Sequence, residues 1–393
     1  MKPIYIAGAV RSAIGKFGGS LKDLTLAEFA APIVSAALER ANVAAEQVDE
    51  LIFGNGRQAG GGPNVARQIS YRAGIPVTVP AYTINQACAS GLKSIILAYQ
   101  EIALGQADCI VAGGGESMSR LPYYVESARW GSRLGHTQLV DGMYKDGFLC
   151  PLSGMVMGET AEKLAQQMNI SRQEQDEFAL MSQNRAATSL AAGVFKAEIH
   201  PISIKDRKGN ATDFTLDEHV RNKTVISDLD KLPPVFSKTG TVTAGNASGI
   251  TDGAAALVVM SEEMLKKTGA KAQARIVDYT IVGVEPSIMG IGPVPAVNKL
   301  LERNKLSLDQ IDLVEMNEAF AAQVLACLRD LPIDINKLNV NGGSIALGHP
   351  IGCTGTRIVV TLLHEMERRA SRLGLATLCV SGGMGVALLL ERV

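Results

Sequence analysis

The sequence predicts an α/β protein built from two duplicated halves with a segment inserted between them. Three observations carry this. The chain has 393 residues, and at about 100–200 residues per domain that favours two or three packed units over one. Leu38-Glu39-Arg40 and Gln47-Val48-Asp49, followed by the apolar run Leu51-Ile52-Phe53, return at an offset of 263 residues as Leu301-Glu302-Arg303 and Gln310-Ile311-Asp312, followed by the apolar Leu313-Val314. Both copies then close alike, in an apolar strand ending on glycines: Asp108 to Gly115 in the first and Leu378 to Gly385 in the second.

Taken in order, Met1 to Gly15 alternates small and apolar residues around Arg11. It lacks a basic flank, a long apolar core and a cleavage site, so it reads as a first strand and not as a secretory signal. A helix ending at Arg40 then runs into the strand Leu51 to Phe53, the βα alternation of an α/β protein. The turn Cys88-Ala89-Ser90-Gly91 precedes an amphipathic helix from Leu92 to about Leu104, and falls opposite the glycine-rich turn from His349 to Gly355 in the second copy. Residues 119 to about 250 lack clean alternation and hold the only tryptophan, Trp130. This stretch is expected to be an inserted lid, in which Ser171-Arg172-Gln173-Glu174 forms a capping box opening a helix towards Leu190. The expected division is 1–118 plus about 250–270 for the first half, 119–249 for the insertion and 271–393 for the second half. A repeat this long means domain duplication, because solenoid repeats run about 20–50 residues.

Composition narrows the function classes. Hydrophobic residues make up 47%, charged residues 20% and aromatics 5%, which excludes a disordered, collagen-like or coiled-coil chain. Lysine and arginine number 38 against 39 aspartates and glutamates, leaving no basic excess for the phosphate contacts of a nucleic-acid partner. No stretch approaches the ~18 unbroken apolar residues of a membrane span. Six cysteines without a CxxC pair suit thiols in a reducing cytoplasm. The five histidines show no ligand spacing, so no metal is expected. Forty glycines exceed the usual ~7% and imply backbone at positive φ or in close approach.

Four residues could carry chemistry. Cys88 lies at a helix N-terminus, where the dipole lowers a thiol's pKa and raises its nucleophilic thiolate fraction. Residues 51–100 contain no acid but include Arg57, Arg67, Arg72 and Lys93. A small buried hydrophobe is the plainer reading of any cysteine. His349, between Gly348 and Pro350, sits on a rigid turn before a helix, or else is a solvated loop histidine. The duplication brings equivalent turns together, so Cys88 and His349 could form a Cys–His pair. Cys379 ends an apolar strand, a default core position that is also where active-site groups collect in open α/β sheets. Asn317 follows a strand, as a site residue or a helix cap. Gly54-Asn55-Gly56-Arg57-Gln58-Ala59 fits a dinucleotide fingerprint, but no acid follows until Glu101 and Gly60 to Pro63 would break the helix, so a nicotinamide site is not expected.

At these residues the chain resembles the thiolase family over essentially its full length. The carriers are the Cys-x-Ser-Gly element at Cys88, Asn317-Glu318-Ala319-Phe320, Gly348-His349-Pro350, Cys379 with its glycines, and the run Gly240 to Gly249. The resemblance implies a five-layer αβαβα fold, a homodimer or homotetramer, and ping-pong Claisen chemistry on coenzyme A thioesters with no tightly bound cofactor. It implies that Cys88 is the nucleophile and acyl carrier, His349 its base and an oxyanion-hole donor, and Cys379 the acid/base. Asn317 would hold a water in the same hole, and the main-chain N–H of Ser381 would serve the acyl-enzyme carbonyl with that of Cys88. It places Met157, Leu232, Phe236, Ala244 and Ser248 along the pantetheine, Phe320 nearer the catalytic centre and Arg221 at the nucleotide end.

Three positions depart from the family pattern. Val156 stands where small-substrate members carry histidine, Ser381 where glycine is usual, and Phe148 where smaller apolar residues are common. The implied activity is joining two acetyl-CoA into acetoacetyl-CoA and CoA, an acetyltransferase of the cytoplasm. A degradative 3-ketoacyl-CoA thiolase of broader chain length is the alternative. A non-catalytic acyl-CoA or lipid binder has no need of two thiols and an imidazole, and a decarboxylating ketoacyl synthase would lack the Cys379 base.

Overall fold

The computed structural model describes residues 2–205 and 208–393. Met1, which begins the expected first strand, and residues 206 and 207 of the expected insertion lie outside them. The first half runs β1 (Ile4–Arg11), α1 (Leu26–Arg40), β2 (Glu50–Gly54), α2 (Val65–Arg72), β3 (Ala81–Ile84), α3 (Ser90–Ala103) and β4 (Cys109–Ser117). The intervening segment contributes α4 (Met157–Gln167) and α5 (Arg172–Ala191), the latter opened by the Ser171/Glu174 capping box. The chain then returns with β5 (Thr251–Ser261). The second half runs β6 (Ala274–Gly283), α6 (Pro293–Asn304), β7 (Leu313–Met316), α7 (Ala321–Asp330), α8 (Ile351–Arg369), β8 (Leu373–Val380) and β9 (Met384–Arg392).

The strands follow the order β7-β8-β9-β6-β1-β5-β4-β2-β3, with the two-residue strand Gly15–Lys16 pairing β5. Pairing is the same on each side. In the first half β2 lies parallel to β3 and β4, and β5 runs antiparallel to β4 and β1. In the second, β7 lies parallel to β8, and β9 runs antiparallel to β8 and β6. The half-sheets join where Tyr5 faces Arg275 and Ile6 faces Ala274. β5 is buried along its whole length, which is why it reads as a continuous apolar run and not as an alternation.

The sequence repeat has a structural cause. Gln47 Oε1 accepts the Ala44 N–H at 2.9 Å, and Gln310 Oε1 accepts the Ser307 N–H at 2.8 Å, each fixing a single 3₁₀ turn before a strand. Asp49 then accepts the N–H groups of Asp108 and Cys109, while Asp312 accepts those of Arg372 and Leu373. Each aspartate ties the start of one parallel strand to its neighbour, giving the N–H groups at the strand end an acceptor.

One apolar cluster fills the space under α1 and α2, a second lies around α3 and α8, and a third lies under α6 and α7. The layers are therefore α, β, α, β, α, with α3 and α8 in the middle. These central helices approach closely because of glycine. A Cβ on Gly91 would come within 2.6 Å of Thr356 Oγ1, and one on Gly355 within 2.3 Å of Leu92 N. That contact brings the N-termini of both helices to one place. The insertion is anchored by Arg11, fully buried, which donates to Glu198 at 2.7 Å and to both oxygens of Asp217 at 2.8 and 2.9 Å. Among the described residues, no helix is long and apolar enough to cross a membrane.

Candidate active site

Cys88 sits in a 3₁₀ turn, Ala87–Ala89, between β3 and α3. Ala87 takes φ of 45°, a left-handed conformation that costs about 1–3 kcal/mol outside glycine. Local hydrogen bonds impose it. Asn85 Oδ1 accepts the Ala87 N–H at 2.9 Å, and Ser90 Oγ donates to the Ala87 carbonyl at 2.7 Å while accepting the Gln86 N–H at 2.9 Å.

The second half delivers the other groups. His349 lies one residue before Pro350, the N-cap of α8, and is only 8% exposed, so it is not a solvated loop residue. Its Nδ1 is 2.6 Å from Thr354 Oγ1, whose hydroxyl donates to the Pro350 carbonyl at 3.1 Å. The Thr354 oxygen therefore accepts from Nδ1–H, leaving Nε2 unprotonated and 3.5 Å from Asn317 Nδ2. Asn317 follows β7 directly and its N–H donates to the Thr377 carbonyl at 3.0 Å. It is not a helix cap, because α7 is capped at Phe320.

Cys379 is the penultimate residue of β8 and fully buried. Just beyond it, the N–H of Ser381 lies close enough to the Cys88 sulfur to favour its thiolate. Gly382 and Gly383, at φ of 87° and 86°, take the left-handed positions of this turn. Ser381 does not, so its Cβ places no limit on the backbone there. Cys88, Cys379 and the Ser381 N–H thus meet from opposite halves, His349 and Asn317 form a pair of their own, and Arg57 acts on both Cys88 and His349.

Electrostatics correct one expectation. The Cys88 thiol is raised above its ordinary value, not lowered: burial dominates, opposed by Arg57 and by the N–H groups of Ser381 and Cys88 itself. Burial also raises Cys379 well above its usual range, with the nearby Cys88 charge adding to it. His349 is pushed down to about 3 by burial and then by Arg357 and Arg57. At neutral pH the resting site holds neutral thiols and a neutral imidazole, so deprotonation must accompany attack.

The Gly54 to Ala59 segment cradles a carboxylate of its own chain. Glu116 on β4 accepts from the Asn55 side chain and from the N–H groups of Gly56 at 3.0 Å, Arg57 at 3.1 Å and Gly352 at 2.8 Å. Burial lifts Glu116 to about 7 against these donors. Glu116 ties the loop after β2 to the first turn of α8. A glutamate inside the apolar, glycine-rich strand Cys109–Ser117 was the signal for it.

Of the residues implied for the coenzyme, Met157 opens α4 and is buried with Phe320 and Cys379 in one cluster, against which Phe236 packs. Phe236 and Phe320 meet edge to face at 6.2 Å. Ser248 donates its N–H to the Ala319 carbonyl at 3.0 Å, beside Phe320, and Ala244 is exposed. Arg221 and Leu232 line a cleft of about 330 Å³ with Lys223 and Thr224. A larger cleft of about 470 Å³ on the outer face of α1, between Glu28, Arg72 and His200, contains none of these residues. Among the described residues, no three His, Cys, Asp or Glu side chains are grouped to hold a metal.

Comparison with known proteins agrees along the whole chain. The model for the thiolase N-terminal domain matches residues 4–263, and that for the thiolase C-terminal domain matches residues 270–392. The chain is 50% identical over 392 residues to acetyl-CoA acetyltransferase of Cupriavidus necator, covering 100% of each. The crystal structure of the Bacillus anthracis acetyl-CoA acetyltransferase superposes with a TM-score of 0.98 at 48% identity, over 100% of this chain and 99% of that one. Human mitochondrial 3-ketoacyl-CoA thiolase in complex with CoA gives 0.95 at 43%, over 100% and 98%.

Proposed function

The chain belongs to the thiolase family, and from that premise we propose that it is an acetyl-CoA C-acetyltransferase, joining two acetyl-CoA into acetoacetyl-CoA and CoA. The carrying observation is the convergence on one buried point of a thiol and a main-chain N–H from opposite halves, Cys88 and Ser381, beside Cys379. The residue roles follow from the chemistry. Cys88 attacks the thioester carbonyl while His349 Nε2 takes its proton and returns it to the departing CoA sulfur. The tetrahedral oxyanion accepts from the N–H groups of Cys88 and Ser381. Acylation takes away the Cys88 thiol, so no charge can develop there to oppose ionisation of Cys379.

Cys379 passes its own proton to His349 Nε2 and, as the thiolate, takes one from the methyl carbon of a second acetyl-CoA, and the enolate oxygen then accepts from His349 Nε2–H and from a water on Asn317. The carbanion attacks the acetyl carbonyl on Cys88; a carbon–carbon bond forms and the carbon–sulfur bond breaks. The proton held by His349 returns to the Cys88 thiolate, leaving both cysteines as thiols again. Coenzyme A thioesters enter only as substrates, with no tightly bound cofactor. The mixed apolar and basic surface from Met157, Phe320, Phe236, Ala244 and Ser248 to Leu232 and Arg221 suits a pantetheine arm ending in a nucleotide.

Incubation with acetyl-CoA followed by mass spectrometry tests this: an acetyl adduct on Cys88 is expected, and its absence would favour a non-catalytic binder. One observation favours a degradative thiolase of broader chain length, namely Val156, which puts no polar side chain ahead of Met157. Phe148 opposes it, since its ring packs against the cluster that contains Cys88. Comparable thiolysis of C4 and C8 substrates would establish the broader enzyme. The same reading makes the protein a cytoplasmic homodimer or homotetramer divided at 1–118 plus about 250–270, 119–249 and 271–393. The unpaired free cysteines and the return of β5 to pair with β1 and β4 support it.

A further inference from the structure

An asparagine amide can face its neighbours in either of two directions, and at Asn317 a chain of hydrogen bonds from the far side of α8 decides which. Arg357, 1% exposed, donates through Nη2 to Ser344 Oγ at 2.9 Å, with Nη1 held 3.4 Å from Glu315 Oε2. A guanidinium has no acceptor, so the Ser344 oxygen accepts here. Its single proton is then free for Asn317, 2.6 Å away. The Asn317 atom facing Ser344 must be Oδ1, which turns the NH₂ group towards His349 Nε2. Thr354 independently keeps that nitrogen unprotonated. Reversing the amide would set its oxygen against the imidazole lone pair and strand the Ser344 proton in a buried site.

We propose that Ser344 and Arg357 are positioning residues for the condensation step, orienting Asn317 so that its N–H groups face the pocket where the enolate oxygen develops. The inference rests on the roles given above to Asn317 and His349. Neither residue touches the substrate. They act by removing one of the two directions the amide could take, so the donor is in place before charge appears.

Full-length Ser344→Ala, Ser344→Thr and Arg357→Lys test it, with two rates measured on each. Acylation is followed by mass spectrometry on Cys88, and condensation by release of acetoacetyl-CoA from preformed acetyl-enzyme mixed with fresh acetyl-CoA. Ser344→Ala is expected to slow condensation about ten-fold, the rate equivalent of one hydrogen bond. Because Thr354 still fixes the imidazole, its acylation stays within about twofold. Ser344→Thr, which keeps the hydroxyl, restores condensation to within about threefold. Arg357→Lys shows the same selective loss and adds little to Ser344→Ala in the double variant, as expected for one chain of contacts. It also carries the comparison should Ser344→Ala fail to fold. Unchanged condensation in Ser344→Ala, or equal losses in both half-reactions, would overturn the inference. Failure of the unsubstituted protein to acylate Cys88 would instead remove the reading on which it rests.

Discussion

The main-chain N–H of Ser381, from the second half of the chain, faces the sulfur of Cys88, from the first, and favours its thiolate. Two separate glycine-bearing turns meet there, and neither half alone would hold both groups. Ser381→Pro deletes the donor while keeping a residue in ordinary φ space. Removing one such donor costs about 10²–10³ in rate, so acylation of Cys88 should fall by that range. Ser381→Gly, which retains the N–H, should stay within about threefold of the unsubstituted rate. Equal losses in both variants would show that the side chain, not the N–H, matters at this position.

The roles proposed for the two thiols divide the reaction between them. Cys88→Ala should yield no acyl-enzyme. Cys379→Ala should still accept an acetyl group from acetyl-CoA, because the attacking sulfur, its base and its oxyanion donors remain, yet condensation should fall by at least about 10³ without a group to take the methyl proton. Adduct mass and acetoacetyl-CoA formation, measured on the same preparations, check this. An acyl group found on Cys379 in place of Cys88 would reverse the assignment.

The pH behaviour follows from burial. A thiol raised above its ordinary value of 9.0 is mostly protonated at neutral pH, and its thiolate fraction grows as pH rises towards the folded pKa. Alkylation of Cys88 by iodoacetamide should therefore still be accelerating at pH 9, with acetyl-CoA protecting the residue. On the acid side, His349 is held near 3, so the imidazole remains an unprotonated base down to about pH 4 and acylation should show no histidine limb between about pH 5 and 7. An alkylation rate that levels off near pH 7 would indicate a resting thiolate–imidazolium pair.

These signs show where sequence reading reaches and where it stops. The duplication was legible because Gln47 and Gln310, and Asp49 and Asp312, do the same local work: each glutamine caps a turn within three residues, and each aspartate ties down a strand start. Cys88, His349 and Cys379 stood out because each sits beside a glycine-marked turn, Cys88 between β3 and α3, His349 just before α8 and Cys379 near the end of β8. The direction of the Cys88 shift did not, since residues near it in sequence display the helix N-terminus and Arg57 but not the layers that bury it. Glu116 and Arg357 were equally hidden. Glu116 meets Gly352 across 236 residues, and Arg357 looks like any arginine on an amphipathic helix until α8 is seen to lie between two sheets.

Arg11 joins the first strand to the insertion, and its removal bears on folding and not on the chemistry. The guanidinium lies 5.2 Å over the Phe195 ring and bridges Glu198 and Asp217, with no part of its side chain exposed. Arg11→Met would leave two buried carboxylates without their cation, and breaking a buried pair in this way costs about 3–5 kcal/mol. Arg11→Lys keeps the charge but loses the fork that grips both Asp217 oxygens, so a smaller loss is expected. The triple variant Arg11→Met, Glu198→Gln, Asp217→Asn removes the charges together and should recover most of the stability. Urea unfolding at constant m-value measures all three. If Arg11→Met unfolds within about 1 kcal/mol of the unsubstituted protein, the range of exposed ion pairs, the insertion is held by its apolar contacts and the ionic anchor is incidental.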